Sequence, residues 1–132
     1  MRRIGLCLAI LLAAAFAADP GLAGRYAGDW KSGASGSGGA LQFALDGPRD
    51  ETWKCDLTFS LDGAEVRTTM REVKVQEKRI ELTYDFDAGG AALRSHVSGE
   101  WDGAKFRGQY ETTMGGVQVD AGTWTAAPDK KE

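Results

Sequence analysis

The stretch Thr52–Leu61 alternates between apolar and polar residues without interruption. Trp, Cys, Leu, Phe and Leu occupy its odd positions, and Thr, Lys, Asp, Thr and Ser occupy its even positions. Successive residues of a β-strand point to opposite faces, whereas a helix would spread these apolar side chains around its circumference. The stretch therefore predicts a half-buried strand with one face toward a core and the other toward water.

The same alternation returns in other segments between Gly24 and Ala126, separated by short stretches rich in Gly and Asp. Asp62-Gly63, for example, is typical of a tight type I′ hairpin. We expect an all-β protein with eight short antiparallel strands in an up-and-down meander. The meander should close as a barrel through pairing of the first and last strands, because closure removes two unpaired edges. A β-sandwich is the alternative architecture.

Two predicted strands change parity, which indicates irregular pairing. The fourth strand, Ala64–Gln76, changes its inward-facing parity near Arg71-Glu72, where an extra residue would reconcile its two halves. In the last strand, Val117–Ala126, the valines are odd and Trp124 is even. We therefore expect a second bulge near Gly122.

The first 17 residues predict a secretory signal peptide. A basic start precedes the apolar segment Ile4–Ala15, and Ala15-Phe16-Ala17 is a small-x-small cleavage site. An uncleaved membrane anchor is the alternative, but the apolar segment is too short to span a bilayer comfortably. We expect residues 18–126 to form a single β-barrel domain, residues 127–132 to form a polar tail, and the protein to be periplasmic or secreted.

Charge and cysteine content narrow the range of partners. After cleavage, 14 basic and 19 acidic side chains remain, a balance that argues against binding nucleic acid or an anionic membrane through bulk charge. The predicted outer faces carry charges such as Lys54 and Glu81, whereas a membrane-spanning barrel needs an apolar outer band. Cys55 is the one cysteine left, so the domain must fold without a disulfide. We expect a monomer that does not span a membrane, with Cys55 buried.

No stretch carries a specific catalytic, metal-binding or cofactor motif. His96 is the single histidine, which excludes multi-histidine metal sites. It falls on a predicted outer face, which favours an exposed side chain. Asp85 and Asp87 precede Gly89-Gly90 and offer oxygen ligands to a hard cation, but the spacing lacks the other ligands of a calcium loop. A hairpin with solvated aspartates is the favoured interpretation. The sequence therefore favours a non-enzymatic protein with no metal or cofactor. An enzyme is the least favoured alternative.

Aromatic residues concentrate on the predicted inner faces, where they either fill the barrel or line a pocket whose Tyr and Trp groups orient a ligand. Alternate connections of a meander lie at the same end. The Ser32–Gly39 loop, expected to be flexible because it contains only Ser, Gly and Ala, thus shares one end with Asp62-Gly63, Asp87–Gly90 and Met114–Gly116. We predict a ligand site at this end, with Trp30, Phe59 and Phe86 at its rim and Tyr84 and Phe43 deeper.

The segment Gly28-Asp29-Trp30, an eight-stranded meander and a secreted chain together resemble the calycins, the lipocalin-like and avidin-like barrels. The resemblance implies a cup that binds a small hydrophobic or amphipathic ligand. Two features depart from lipocalins: no Arg follows Arg107 to lie over the first-strand Trp, and no helix follows the barrel. The alternative function is a protein-binding module, such as a periplasmic enzyme inhibitor acting through its loops.

Overall fold

The computed structural model describes residues 19–129; the predicted signal peptide and residues 130–132 lie outside this range. The described chain forms a short 3-10 helix followed by one antiparallel sheet. The helix spans Asp19–Leu22, and the strands are β1 (Gly24–Ser32), β2 (Gly38–Arg49), β3 (Thr52–Leu61), β4 (Ala64–Arg67), β5 (Thr69–Gln76), β6 (Arg79–Ala88), β7 (Ala91–Trp101), β8 (Phe106–Met114) and β9 (Val117–Pro128).

The sheet is a meander that curls into a nearly closed barrel, as predicted. Its strand order is β4-β3-β2-β1-β9-β8-β7-β6-β5, and all pairs are antiparallel. The first and last strands pair, with Trp30 opposite Trp124 and Tyr26 opposite Pro128. The two terminal strands of this order, β4 and β5, follow each other directly in the chain, and β5 also contacts β3. The barrel therefore curls back on itself along a narrow seam between β4 and β5.

The predicted fourth strand is divided in two, so the barrel has nine strands. The division falls at Thr68, whose hydroxyl donates a hydrogen bond to the Leu57 carbonyl at 2.7 Å. Before Thr68 the chain pairs with β3, and after it the chain pairs with β6. One continuous segment thereby supplies the strands on both sides of the seam, β4 and β5.

One predicted bulge is confirmed and the other is displaced. The β5–β6 register shifts between Met70 and Glu72, at the predicted position. In β9 the shift leaves Val119 as the extra residue, because Asp120 pairs with Thr112 while Gln118 pairs with Thr113. The predicted bulge near Gly122 was therefore wrong by three residues. Gly122 has another role, since a Cβ there would collide with the Lys31 carbonyl of β1.

The Ser32–Gly39 loop is shorter than predicted. Ser32 ends β1 and is buried, while Gly38 begins β2 opposite Lys31, so the loop proper is residues 33–37. Its main chain is tied across by a hydrogen bond from Ser32 N to Ser37 O at 2.7 Å. Main-chain pairing extends the hairpin here without any apolar alternation in the sequence.

The turn between β2 and β3 is also short. β2 continues to Arg49, which pairs with Thr52 after a register shift, and the turn consists of residues 50–51. Asp62-Gly63, by contrast, forms the predicted tight hairpin, with φ angles of 55° and 82°. Both positive values agree with a type I′ turn.

One end of the barrel, here the closed end, is filled by aromatic side chains. Phe106 is completely buried there, with ring centroids 5.0 Å from Tyr26 and 5.2 Å from Trp101. The 3-10 helix covers this end: Leu22 is buried and its carbonyl accepts a hydrogen bond from the Tyr26 hydroxyl at 2.7 Å. This half of the barrel is therefore a solid core.

Candidate functional site

The opposite end of the barrel, here the open end, leads into a cavity of about 160 Å³. Four turns surround this end: residues 33–37, 62–63, 89–90 and 115–116. Lining residues near these turns, such as Leu61 and Leu93, are partly exposed, whereas Leu57 and Trp124 farther in are buried. The cavity therefore opens toward the turns. It brings together all five residues predicted from the sequence: Trp30, Phe43, Phe59, Tyr84 and Phe86.

The five predicted residues lie at different depths in the cavity. Trp30 and Phe59 are half-buried near the mouth, and Phe43 and Tyr84 are buried deeper. Phe86, predicted at the rim, is more buried than the other two rim residues, at 9% exposed. Its ring lies 5.1 Å from that of Phe59 in an edge-to-face contact, a favoured geometry for aromatic pairs.

The floor of the cavity depends on a close contact between Trp124 and the β7 backbone. The Trp124 indole lies over Gly99, where a Cβ would collide with the ring. Its Nε1 donates a hydrogen bond to the Ser98 carbonyl at 3.1 Å. Trp124 is thereby fixed between the cavity and the solid core, with its ring centroid 6.3 Å from that of Phe106.

One side of the cavity carries no polar side-chain atom. This side, the apolar wall, comes from the alternating inner faces of β2 and β3. The phenyl and isobutyl groups can contribute only apolar contact to a ligand. The apolar wall consists of Leu41, Phe43, Leu57, Phe59 and Leu61.

The opposite side, the polar wall, carries hydroxyl and carboxylate groups from β6, β7, β8 and β9. At its deeper part, the Ser95 and Thr112 hydroxyls are buried and lie 2.6 Å apart, in hydrogen-bond contact. Burial raises the pKa of Tyr84 to about 12, and the neighbouring Ser95 hydroxyl partly offsets this increase. The polar wall consists of Tyr84, Ser95, Tyr110, Thr112 and Asp120.

Asp120 is the charged residue among those that line the cavity. The Ser32 hydroxyl donates to its Oδ1 at 2.6 Å, and the Tyr110 hydroxyl donates to its Oδ2 at 2.9 Å. Burial raises the pKa of Tyr110, and the hydrogen bond to Asp120 raises it further, as does the negative charge of that residue. Within residues 19–129, no basic side chain forms an ion pair with Asp120. The mouth therefore carries a carboxylate that is oriented by two hydroxyl groups and has no ion-pair partner among residues 19–129.

Trp30 sits at the mouth between two other aromatic rings. Its centroid lies 6.0 Å from Tyr110 and 6.1 Å from Phe59, both edge to face. Its indole Nε1 donates to the Ser60 carbonyl at 3.0 Å, which fixes the ring orientation. The register places Trp30 opposite Trp124 rather than opposite a basic residue.

Of the polar wall, only Tyr84 was among the site residues predicted from the sequence. Asp120 was missed because the bulge was placed near Gly122, which assigned the inner face to the valines before it. The sequence did contain a signal for Asp120. Even-numbered residues before Trp124 share its inner face, and Asp120 is one of them if the bulge lies before Asp120 in the chain. Ser95 and Thr112 lie on the correct inner parity, but a short hydroxyl side chain does not stand out on an apolar face.

The remaining candidates for chemistry lie outside the cavity. His96 is exposed, as predicted, and its Nδ1 lies 3.0 Å from the Thr83 hydroxyl. Cys55 is buried, as predicted; burial, together with the charge of Asp56, raises the pKa of its thiol to about 12. Asp85 accepts hydrogen bonds from two arginines rather than facing solvent alone. In the described part of the chain, no three His, Cys, Asp or Glu side chains are arranged to hold a metal ion.

Comparisons with known proteins give no match from which the role of the site could be inferred. No family model matches the chain, and neither a curated protein nor a solved structure matches it significantly. Between residues 19 and 129, no helix has the length and apolar character needed to cross a membrane.

Proposed function

We propose that this chain is an exported, non-enzymatic barrel that binds a small hydrophobic or amphipathic molecule in the cavity at its open end. The observation that carries the proposal is the contrast between the two halves of the barrel. The closed end is packed solid, whereas aromatic and aliphatic side chains near the open end surround a cavity of about 160 Å³. A small-molecule site of this kind combines apolar walls with a few placed polar groups. The calycin resemblance implies the same role.

The cavity volume limits the part of the ligand that is enclosed. An apolar cavity of roughly 150 Å³ accommodates a molecule the size of benzene. The enclosed part is therefore a single ring or a short alkyl chain, and a longer ligand would extend through the mouth. Each buried methylene group contributes about 0.8 kcal/mol to binding, so affinity should rise with chain length until the cavity is full.

Isothermal titration calorimetry with a homologous series of primary alcohols, from 1-butanol to 1-octanol, tests this proposal. We expect binding to tighten with chain length up to the length that fills the cavity. Leu93→Trp should abolish binding, because Leu93 lines the mouth. Ala92→Trp is the matched control, since Ala92 is the preceding residue of β7 and is exposed. Absence of binding to the unmodified chain would overturn the proposal.

A second function, protein binding through the open end, is favoured by one observation. The β8–β9 hairpin exposes three apolar side chains, with Met114 at 46%, Val117 at 66% and Val119 at 47%. Exposed apolar groups that lie close together are typical of interaction surfaces. Native mass spectrometry of the protein purified from its own host separates the two functions. A small-molecule adduct supports the first proposal, and a stoichiometric protein partner supports the second.

A further inference from the structure

We propose that the cavity selects ligands with a cationic amine head over ligands with an anionic head, and that Asp120 is the residue that binds this amine. The inference rests on the proposed function, because it names the class of ligand that the same cavity would take. Its basis is the position of a carboxylate at the mouth of a cavity that is otherwise neutral.

The carboxylate of Asp120 is fixed in orientation. One oxygen accepts from Ser32 and the other accepts from Tyr110, at 2.6 and 2.9 Å. These two donors come from β1 and β8, on either side of β9. An ionised carboxylate has about four lone-pair positions, so two hydroxyl donors leave about two free for a ligand. The group is thus oriented by the protein but not saturated by it.

The charge of Asp120 is not neutralised within the cavity. Among the residues that the structure describes, none that lines the cavity is Lys, Arg or His. A ligand carboxylate at the mouth would therefore stand beside a like charge without a cation, which is unfavourable in a partly buried site. An alcohol can donate one hydrogen bond to Asp120 from an uncharged hydroxyl group. A protonated amine has up to three donors, and its positive charge adds a Coulombic attraction to the carboxylate that the alcohol lacks.

Aromatic rings at the mouth add a second preference for a cation. Trp30 and Tyr110 line the mouth together, with their centroids 6.0 Å apart. The face of Trp or Tyr attracts an ammonium group by its quadrupole, and the interaction strengthens when the site is partly desolvated. The Tyr110 hydroxyl also donates to Asp120, so this aromatic residue lies directly beside the carboxylate.

The geometry of β9 is consistent with a head at Asp120 and a tail at the floor. Asp120 and Trp124 lie on the same inner face of β9, four residues apart. This separation is roughly 13 Å in a strand. A short alkyl chain attached to an amine at Asp120 would run down the cavity between the apolar wall and the polar wall toward Trp124.

Calorimetric titration with hexylamine, 1-hexanol and hexanoate tests the inference, because the three probes share one alkyl chain and differ in head group. We expect hexylamine to bind about tenfold more tightly than 1-hexanol, and hexanoate to bind more weakly than either. Asp120→Asn should reduce the affinity for hexylamine to about that of 1-hexanol while leaving 1-hexanol nearly unchanged. Asp87→Asn is the matched control, because Asp87 is an exposed carboxylate near the same end and does not line the cavity.

Each outcome distinguishes the inference from the proposed function. Equal binding of the three probes, or tightest binding of hexanoate, would overturn the inference while leaving the ligand-binding function intact. Equal loss of hexylamine binding in Asp120→Asn and Asp87→Asn would also overturn it, since the effect would then come from bulk charge. Failure of all three probes to bind the unmodified chain would overturn both. Thermal unfolding of each variant confirms that the comparison is made between folded proteins.

Discussion

Truncation of a phenylalanine in each half of the barrel should separate stability from binding. Phe106 lies in the solid core at the closed end and is completely buried. Phe59 lies in the apolar wall near the open end and is half-buried. We predict that Phe106→Ala lowers the free energy of unfolding much more than Phe59→Ala does, and that Phe59→Ala has the larger effect on alcohol binding.

The expected magnitudes follow from the surroundings of each ring. Phe106 packs among four aromatic neighbours whose centroids lie 5.0 to 6.3 Å away, so its removal leaves a closed void. Such truncations cost about 3–5 kcal/mol. Phe59 already borders the cavity, so its removal enlarges an existing space and loses only part of its transfer free energy, about 1 kcal/mol. The two variants should therefore differ by about 2–4 kcal/mol.

Urea unfolding monitored by tryptophan fluorescence and far-UV circular dichroism measures this difference. Coincident transitions and an unchanged m-value show that the free energies can be compared. Phe106→Leu, which should cost about 1 kcal/mol, keeps the experiment measurable if Phe106→Ala does not fold. Equal destabilisation by Phe59→Ala and Phe106→Ala would refute the division into a solid half and a hollow half, as would unchanged alcohol binding by Phe59→Ala.

Three further predictions concern the rest of the barrel. The Cys55 thiol should react with a bulky maleimide only after unfolding, because it is buried and its pKa is raised to about 12; mass spectrometry of native and urea-treated protein measures the difference. The Arg94 and Arg71 guanidinium groups hold the pKa of Asp85 well below its usual range, so the native state binds fewer protons there than the unfolded state and stability falls as the pH drops below about 4. Asp85→Asn should make that fall shallower in urea titrations at pH 5 and pH 2.5. Deletion from Val117 onward should abolish cooperative unfolding, because β1 and β8 both lose the partner strand between them.

The fold was predictable because apolar and polar residues alternate with a period of two in most strands, which identifies the inner and outer faces of each strand. In β3 the odd positions predicted to face inward are buried or half-buried. The same holds for β6, where Ile80, Leu82 and Tyr84 are all buried. A shift of one residue would reverse every side chain of such a strand, so a clean pattern fixes its register. Closure then followed from the need to pair both edges.

The limits of prediction lie where main-chain pairing, rather than side-chain burial, decides the structure. Gly38 and Gly39 extend β2 through pairing with Lys31 and Trp30, although no apolar residue marks them. Thr68 divides a strand through one hydroxyl bond to a main-chain carbonyl. Neither effect leaves a periodic signal. The aromatic part of the site could be predicted because it belongs to the apolar pattern, whereas Ser95, Thr112 and Asp120 do not stand out in that pattern.

Regular alternation from Trp124, and not the bulge at Val119, places the negative charge of Asp120 at the mouth of the cavity. Trp124, Gly122 and Asp120 pair in unbroken register with Gly108, Tyr110 and Thr112, so the three residues share one face of β9. The register shifts only beyond Asp120, where Val119 is the extra residue; Val119 also borders the cavity and is 47% exposed. Bulges commonly reorient a side chain next to a functional site. A partly buried carboxylate beside a half-exposed valine is unfavourable to folding alone, although the hydroxyl groups of Ser32 and Tyr110 donate hydrogen bonds to the carboxylate. The half-exposed valine and the partly buried carboxylate at the open end thus agree with the ligand site proposed there.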